Sequence, residues 1–177
     1  MLQICTESEV PVFFEPTDPR KGAKALKSPW LQAIKYTSPN MHELCNMVGR
    51  KEIEINLESG ANLINDCDSL GRILMRQMPG TAAIIITLGE NGVLLIEPDA
   101  DKGNSDEFLS RHYAVKSEPN ILSVSGAGDC LSAGFIAGIL TGCDHHQALL
   151  MGLKAARLSL LSMDTVPDTL SMQNIVD

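Results

Sequence analysis

Two periods of hydrophobic and polar positions alternate along the chain. Val10 to Phe14 is a short apolar run closed by Glu15-Pro16-Thr17-Asp18-Pro19, which reads as a strand stopped by two prolines. Ala33 to Thr37 reads as a second, weaker strand that ends at Ser38-Pro39. Asn40 to Val48 then starts a helix, because Asn is a good cap and Glu43 stands one turn in. From Glu58 to Met78 the residues Ala61, Ile64, Cys67, Leu70, Leu74 and Met78 recur at three- and four-residue steps. That spacing predicts an amphipathic helix ended by Pro79-Gly80.

Thr81 to Leu88 is apolar on both faces, as a buried strand is. Gly89-Glu90-Asn91-Gly92 is a turn signal, and Val93 to Ile96 reads as the returning strand of a hairpin. Pro98 to Asp106 reads as an acidic solvent loop, and Arg111 to Lys116 as a further strand. Gly126 to Leu140 predicts a helix of small residues. A last helix starts at Asp144, with Gln147 in the capping-box position and Leu149, Leu153, Ala156 and Leu160 on its buried face. Strands separated by amphipathic helices predict α/β layering. With no repeat, low-complexity segment or internal linker, residues 1–177 are expected to form one domain or part of one.

Composition narrows the class. At 44% hydrophobic, 20% charged and only 4% aromatic, the chain suits helices on a buried parallel sheet better than a β-sandwich. The net charge of -8 disfavours nucleic acid as a partner. An anionic ligand would need a local site of backbone N–H groups or Mg²⁺. Five scattered cysteines without a C-x-x-C pair look like reduced core thiols, and no membrane-length apolar run or signal peptide is read. The expectation is a cytoplasmic protein with no membrane partner.

Ser125-Gly126-Ala127-Gly128-Asp129 is the strongest chemical feature. Small residues at a helix start leave backbone N–H groups bare, with the positive end of the helix dipole behind them. Such a site suits a phosphate, or the charge that builds up in phosphoryl transfer. A carboxylate at Asp129 is placed to take a proton from an attacking hydroxyl. The plainer alternative is a Gly-rich turn whose Asp caps the helix.

Val124-Ser125-Gly126-Ala127-Gly128-Asp129, followed by Leu131-Ser132-Ala133-Gly134-Phe135, resembles the C-terminal signature of the PfkB, ribokinase-like carbohydrate kinases. The resemblance implies that Asp129 is the catalytic base and that Gly126, Ala127 and Gly128 form the anion hole. The lead-in Ser123-Val124-Ser125 departs from the family's Thr-rich version. Asn40 to Glu43 resembles the family's N-x-x-E motif, which implies that Asn40 and Glu43 act through water on Mg²⁺ and phosphates. For Asn40 the plain alternative is helix capping.

Thr87-Leu88-Gly89-Glu90-Asn91-Gly92 resembles the loop that lines the nucleotide, so Thr87, Gly89 and Gly92 become ATP-binding candidates. The alternative there is an ordinary hairpin turn. Met151 to Ser162, with Ala155, resembles the segment that flanks the adenine. Phe14 to Pro19 resembles the corresponding strand end of pseudouridine kinases.

Together these imply a three-layer α/β/α sandwich using ATP and Mg²⁺ on a sugar or nucleoside. His145-His146 and the pair Lys154 and Arg157 read as surface decoration. No P-loop sequence and no Rossmann fingerprint after a strand is present.

The family's early Gly-Gly segment, β lid and substrate-holding Asp have no counterpart in this sequence. The expectation is therefore the C-terminal, nucleotide-binding portion of such a kinase. A base without its substrate platform has little to deprotonate. One reading is a kinase; the other is a non-catalytic nucleotide-binding or partner-binding fragment, prone to self-association through an exposed sheet edge.

Overall fold

The computed structural model describes residues 1–17, 19–50, 60–100, 107–116 and 118–176. The chain divides into two compact units, Met1–Val115 and Lys116–Asp177.

The first unit is built on five strands: β1 (Val12–Phe14), β2 (Ile34–Thr37), β3 (Ala83–Thr87), β4 (Val93–Pro98) and β5 (Phe108–Tyr113). They lie side by side in sequence order; β1, β2 and β3 are parallel, and β4 and β5 continue antiparallel. The parallel part needs crossover segments, and these supply the helices. They are α2 (Pro19–Ala25) between β1 and β2, then α3 (Met41–Met47) and α4 (Gly60–Gln77) between β2 and β3. A further short helix, α1 (Leu2–Glu7), precedes β1.

The predicted buried strand is the middle one. Ala83, Ile84, Ile85 and Ile86 are all fully buried. Ile84 and Ile86 share a core with Leu94 and Ile96 of β4 and with Leu63, Cys67, Leu74, Met75 and Met78 of the amphipathic stretch. Burying one large aliphatic side chain there contributes about 1.5–3 kcal/mol. Gly71 lets α4 approach the sheet, because a Cβ on it would collide with the Ile86 and Ile96 methyls. Arg72 ties the same helix to β5 through the Phe108 carbonyl at 2.8 Å and pairs with Asp68.

The elements differ from the sequence expectation in four places. Pro19 does not merely stop a strand; it opens α2, where its missing N–H costs nothing and its fixed φ is already helical. The short helices α1 and α7 (Met172–Val176) were not predicted; at six and five residues they carry too little periodicity to show. β5 begins at Phe108, three residues before the expected Arg111, because pairing with β4 runs from Val93–Tyr113 to Pro98–Phe108. Of the acidic loop, residues 101–106 lie outside the described residues, as do Glu58 and Ser59 of the predicted helix.

The second unit is helical: α5 (Ala127–Leu140), α6 (His145–Leu160) and α7. Its packing corrects the face assigned to α6. The buried residues are Ala148, Leu149, Met151, Gly152, Ala155 and Ser159, whereas Leu153, Ala156 and Leu160 are half-buried. The cause is close backbone approach between α5 and α6. A Cβ on Gly152 would lie 2.6 Å from the Leu131 carbonyl oxygen, and one on Gly138 would lie 2.6 Å from the Ala148 Cα. Small residues therefore define the contact, and the leucines flank it. The predicted cap is present, with Asp144 Oδ1 accepting from the Gln147 N–H at 2.8 Å.

Candidate active site

Within the first unit, the carboxyl ends of β2 and β3 bring three predicted residues together. Asn40 makes an isolated parallel bridge to Thr87, and the Thr87 N–H donates to the Pro39 carbonyl at 3.1 Å. Asn40 caps α3 as its residue type predicts: its Oδ1 accepts from the Glu43 N–H at 3.0 Å, and Glu43 Oε2 accepts from the Asn40 N–H at 2.9 Å. Glu43 is buried in this reciprocal bond. Each side chain thus already holds the other's backbone, and direct ligation of a cation by Asn40 Oδ1 or Glu43 Oε2 would compete with the cap. Among the described residues no group of three or more His, Cys, Asp or Glu is placed to hold a metal ion. The residues present fit an ion that keeps its waters and takes its anionic ligands from phosphate.

Neighbouring strand ends add contacts that the sequence did not suggest. The Ser38 hydroxyl donates to Glu15 Oε2, joining the segment after β2 to the end of β1. Thr37, the last residue of β2, is fully buried with no hydrogen-bond partner for its hydroxyl among the described residues.

In the turn after β3 the two glycines differ. Both have positive φ, +58° at Gly89 and +89° at Gly92. Gly92 lies against the Tyr113 carbonyl, so a side chain there would strike the backbone of β5, and its own carbonyl accepts from the Leu88 N–H at 2.8 Å. Apart from its chain neighbours, no atom of the described residues stands within 4 Å of where a Cβ on Gly89 would sit. His112 of β5 holds the turn from the side, its Nε2 2.6 Å from the Asn91 carbonyl oxygen.

In the second unit, Gly126 adopts the left-handed conformation at φ +83° and is the N-cap of α5, with no side-chain cap. L side chains rarely adopt that conformation, so glycine is the natural residue. Ala127, Gly128 and Asp129 are the first three helical residues, whose N–H groups have no intrahelical acceptor. Apart from its chain neighbours and its own helix backbone, no atom of the described residues lies within 4 Å of a would-be Cβ on Gly128. Asp129 is exposed, and its carboxylate has no hydrogen-bond or ion-pair partner among the described residues. It does not cap the helix, so the plainer alternative for this residue is not what the structure contains.

Ala155 is fully buried in the core of this unit with Cys130, Met151 and Ile175. Arg157 is not merely decoration, for its Nε donates to Glu118 at 2.9 Å. No described helix is long and apolar enough to cross a membrane.

Comparison with known proteins gives a consistent result. A pseudouridine kinase of Arabidopsis thaliana is 28% identical over 209 aligned positions, covering 93% of this chain and 53% of that protein. A solved adenosine kinase of Schistosoma mansoni, in complex with 2-fluoroadenosine, superposes with a TM-score of 0.67 at 19% identity, over 95% of this chain and 47% of that one. An Arabidopsis thaliana ribokinase complexed with ribose and ATP gives 0.61 at 20% identity, over 99% and 50%. These likenesses establish the ribokinase-like α/β fold. The chain spans about half the length of each of these relatives. Because the match to the pfkB family carbohydrate kinases runs over residues 1–171, nearly the whole sequence, this chain belongs to that family.

Proposed function

We propose that these residues form the nucleotide-binding and base-bearing part of an ATP-dependent kinase that phosphorylates a hydroxyl of a sugar or nucleoside. The observation that carries this reading is the start of α5. There an uncapped helix N-terminus opened by Gly126 sits beside the exposed, unpartnered carboxylate of Asp129, in a chain of this family.

Asp129 accepts the proton of the acceptor hydroxyl as its oxygen bonds to the γ-phosphorus of ATP and the bond to the ADP oxygen breaks. The backbone of Gly126, Ala127 and Gly128 offers N–H groups to the charge on the phosphoryl group in transit. Thr87, Gly89, Gly92 and Ala155 belong to the nucleotide-binding segments. Asn40 and Glu43 act through water on Mg²⁺, which, when bound, neutralises charge on the phosphates. The 28% identity to a pseudouridine kinase supports a pseudouridine-like acceptor.

Asp129→Asn keeps size and shape but cannot accept the proton. In a polypeptide that carries these residues and phosphorylates an acceptor, turnover should fall at least about a hundredfold with ATP affinity retained. Unchanged turnover refutes the assignment. A second reading is favoured by coverage, since the chain spans about half of each relative. On that reading the 177 residues alone bind ATP·Mg weakly, turn over negligibly and self-associate along β1, which pairs only with β2 among the described strands. Rapid phosphorylation of pseudouridine or ribose by the isolated chain excludes it.

A further inference from the structure

Two hydroxyls inside helices, Thr6 and Ser69, bond back to the carbonyl one turn before, Leu2 and Asn65, and Thr141 at the end of α5 does the same to Ala137. Ser159 does not. It lies in the last turn of α6, fully buried, and its hydroxyl sits between two carbonyl oxygens outside the helix. These are Ser125 O at 3.3 Å and Thr165 O at 3.2 Å. Both distances exceed the usual value of about 2.8 Å for O–H···O, as expected when one proton is shared between two acceptors.

A second donor reaches the same place. The Cys130 thiol, 1% exposed, points at Thr165 O from 3.7 Å. Two donors thus face two acceptors. The Thr165 carbonyl also lies against the bare face of Gly126, where a Cβ would collide with it. Ser125, Gly126 and Cys130 all belong to the turn that opens α5, and Gly126 supplies no side-chain cap of its own. The turn is held from outside.

We infer that Ser159 is a positioning residue: by bridging Ser125 O and Thr165 O it fixes the turn that aims the Ala127 and Gly128 N–H groups and the Asp129 carboxylate. This rests on the proposed role of that turn in phosphoryl transfer. Ser159 touches no substrate; it acts through Gly126 and its neighbours.

Ser159→Ala is the direct test, and it favours the helix, because alanine has the higher helix propensity. A serine whose hydroxyl makes no bridge therefore predicts an equal or higher melting temperature and no local change. A bridge that is structural but does not position the turn predicts more opening with kcat unchanged. The positioning role predicts more frequent opening around Cys130. Alkylation of Cys130 by iodoacetamide in the folded 177-residue chain should rise roughly two- to tenfold, the range for one lost hydrogen bond. Labelling of Cys67, in the other unit, should stay unchanged. Cys130→Ala, which removes the second donor, tests the same bridge and should increase opening of the Thr165 loop as read by amide exchange.

In the turning-over polypeptide, Ser159→Ala should lower kcat about ten- to a hundredfold while the KM for ATP moves little. Unchanged kcat overturns the inference, with or without a rise in Cys130 labelling, while loss of turnover in Asp129→Asn leaves the catalytic reading standing. If Asp129→Asn keeps full turnover, the catalytic reading fails. The positioning role then falls with it, even where labelling still reports the bridge.

Discussion

The two compact units reach a packed interior by opposite means. In Met1–Val115 the core is made of large aliphatic side chains on β3, β4 and α4, among them Ile84, Ile86, Leu74 and Met78. In Lys116–Asp177 the contact between α5 and α6 is made of absences, since Gly134, Gly138 and Gly152 let backbone meet backbone. The first is sensitive to volume lost and the second to volume gained. At the start of α5, ahead of those glycine contacts, Gly128 and Asp129 are both exposed.

Truncation should hurt the first unit most. Leu74→Ala, at a fully buried site, is expected to cost about 2–5 kcal/mol in denaturant unfolding, from lost transfer energy and the cavity left behind. A neutral result would mean that the α4–sheet core is loosely packed. The mirror experiment is Gly152→Ala in α6. Helix propensity alone predicts a gain of about 1 kcal/mol. Close approach predicts a loss of about 1–3 kcal/mol instead, because the new Cβ would lie 2.6 Å from the Leu131 carbonyl, a backbone atom. A stabilised Gly152→Ala variant breaks the comparison.

The smallest expected effect is a pH dependence confined to the first unit. Burial, with lesser contributions from Cys45 and Asp66, pushes the Cys67 thiol up to about 12. Below the ordinary thiol value of about 8.5 both folded and unfolded states hold the proton, so the contribution to stability is fully present. As pH rises from there towards about 12, the unfolded chain releases the proton and the folded chain keeps it, so stability falls. Melting temperatures at pH 7 and pH 10 should drop further for the natural chain than for Cys67→Ala. Equal drops would show that this thiol does not carry the dependence.

How much of this was legible beforehand depends on the range of the interaction. The Asn40–Glu43 capping box spans four residues and is complete in the chain itself, so residue type and spacing announce it. β3 is legible because Thr81 to Leu88 is apolar on both faces, which few surface elements tolerate. Gly126 to Asp129 is contiguous, and its small residues state the turn's backbone demand directly.

The buried face of α6 was not legible. Gly152 and Ala148 look like weak hydrophobes until Leu131 and Gly138 of α5 are set against them. Nor did any local pattern link Glu15 to Ser38, which are 23 residues apart.

By itself, the sequence determined what depends on neighbours along the chain: the five strands and the helices α3 to α6 in their order, the caps, and the small-residue turn carrying Asp129. Tertiary structure alone decided which face of α6 is buried, which glycine of the Gly89–Gly92 turn faces open space, and that Ser159 bridges Ser125 to Thr165. The physical reason is that a hydrogen bond or a steric limit belongs to a pair of groups. When the partner stands 34 residues away, as Ser125 does from Ser159, only the fold brings the two together.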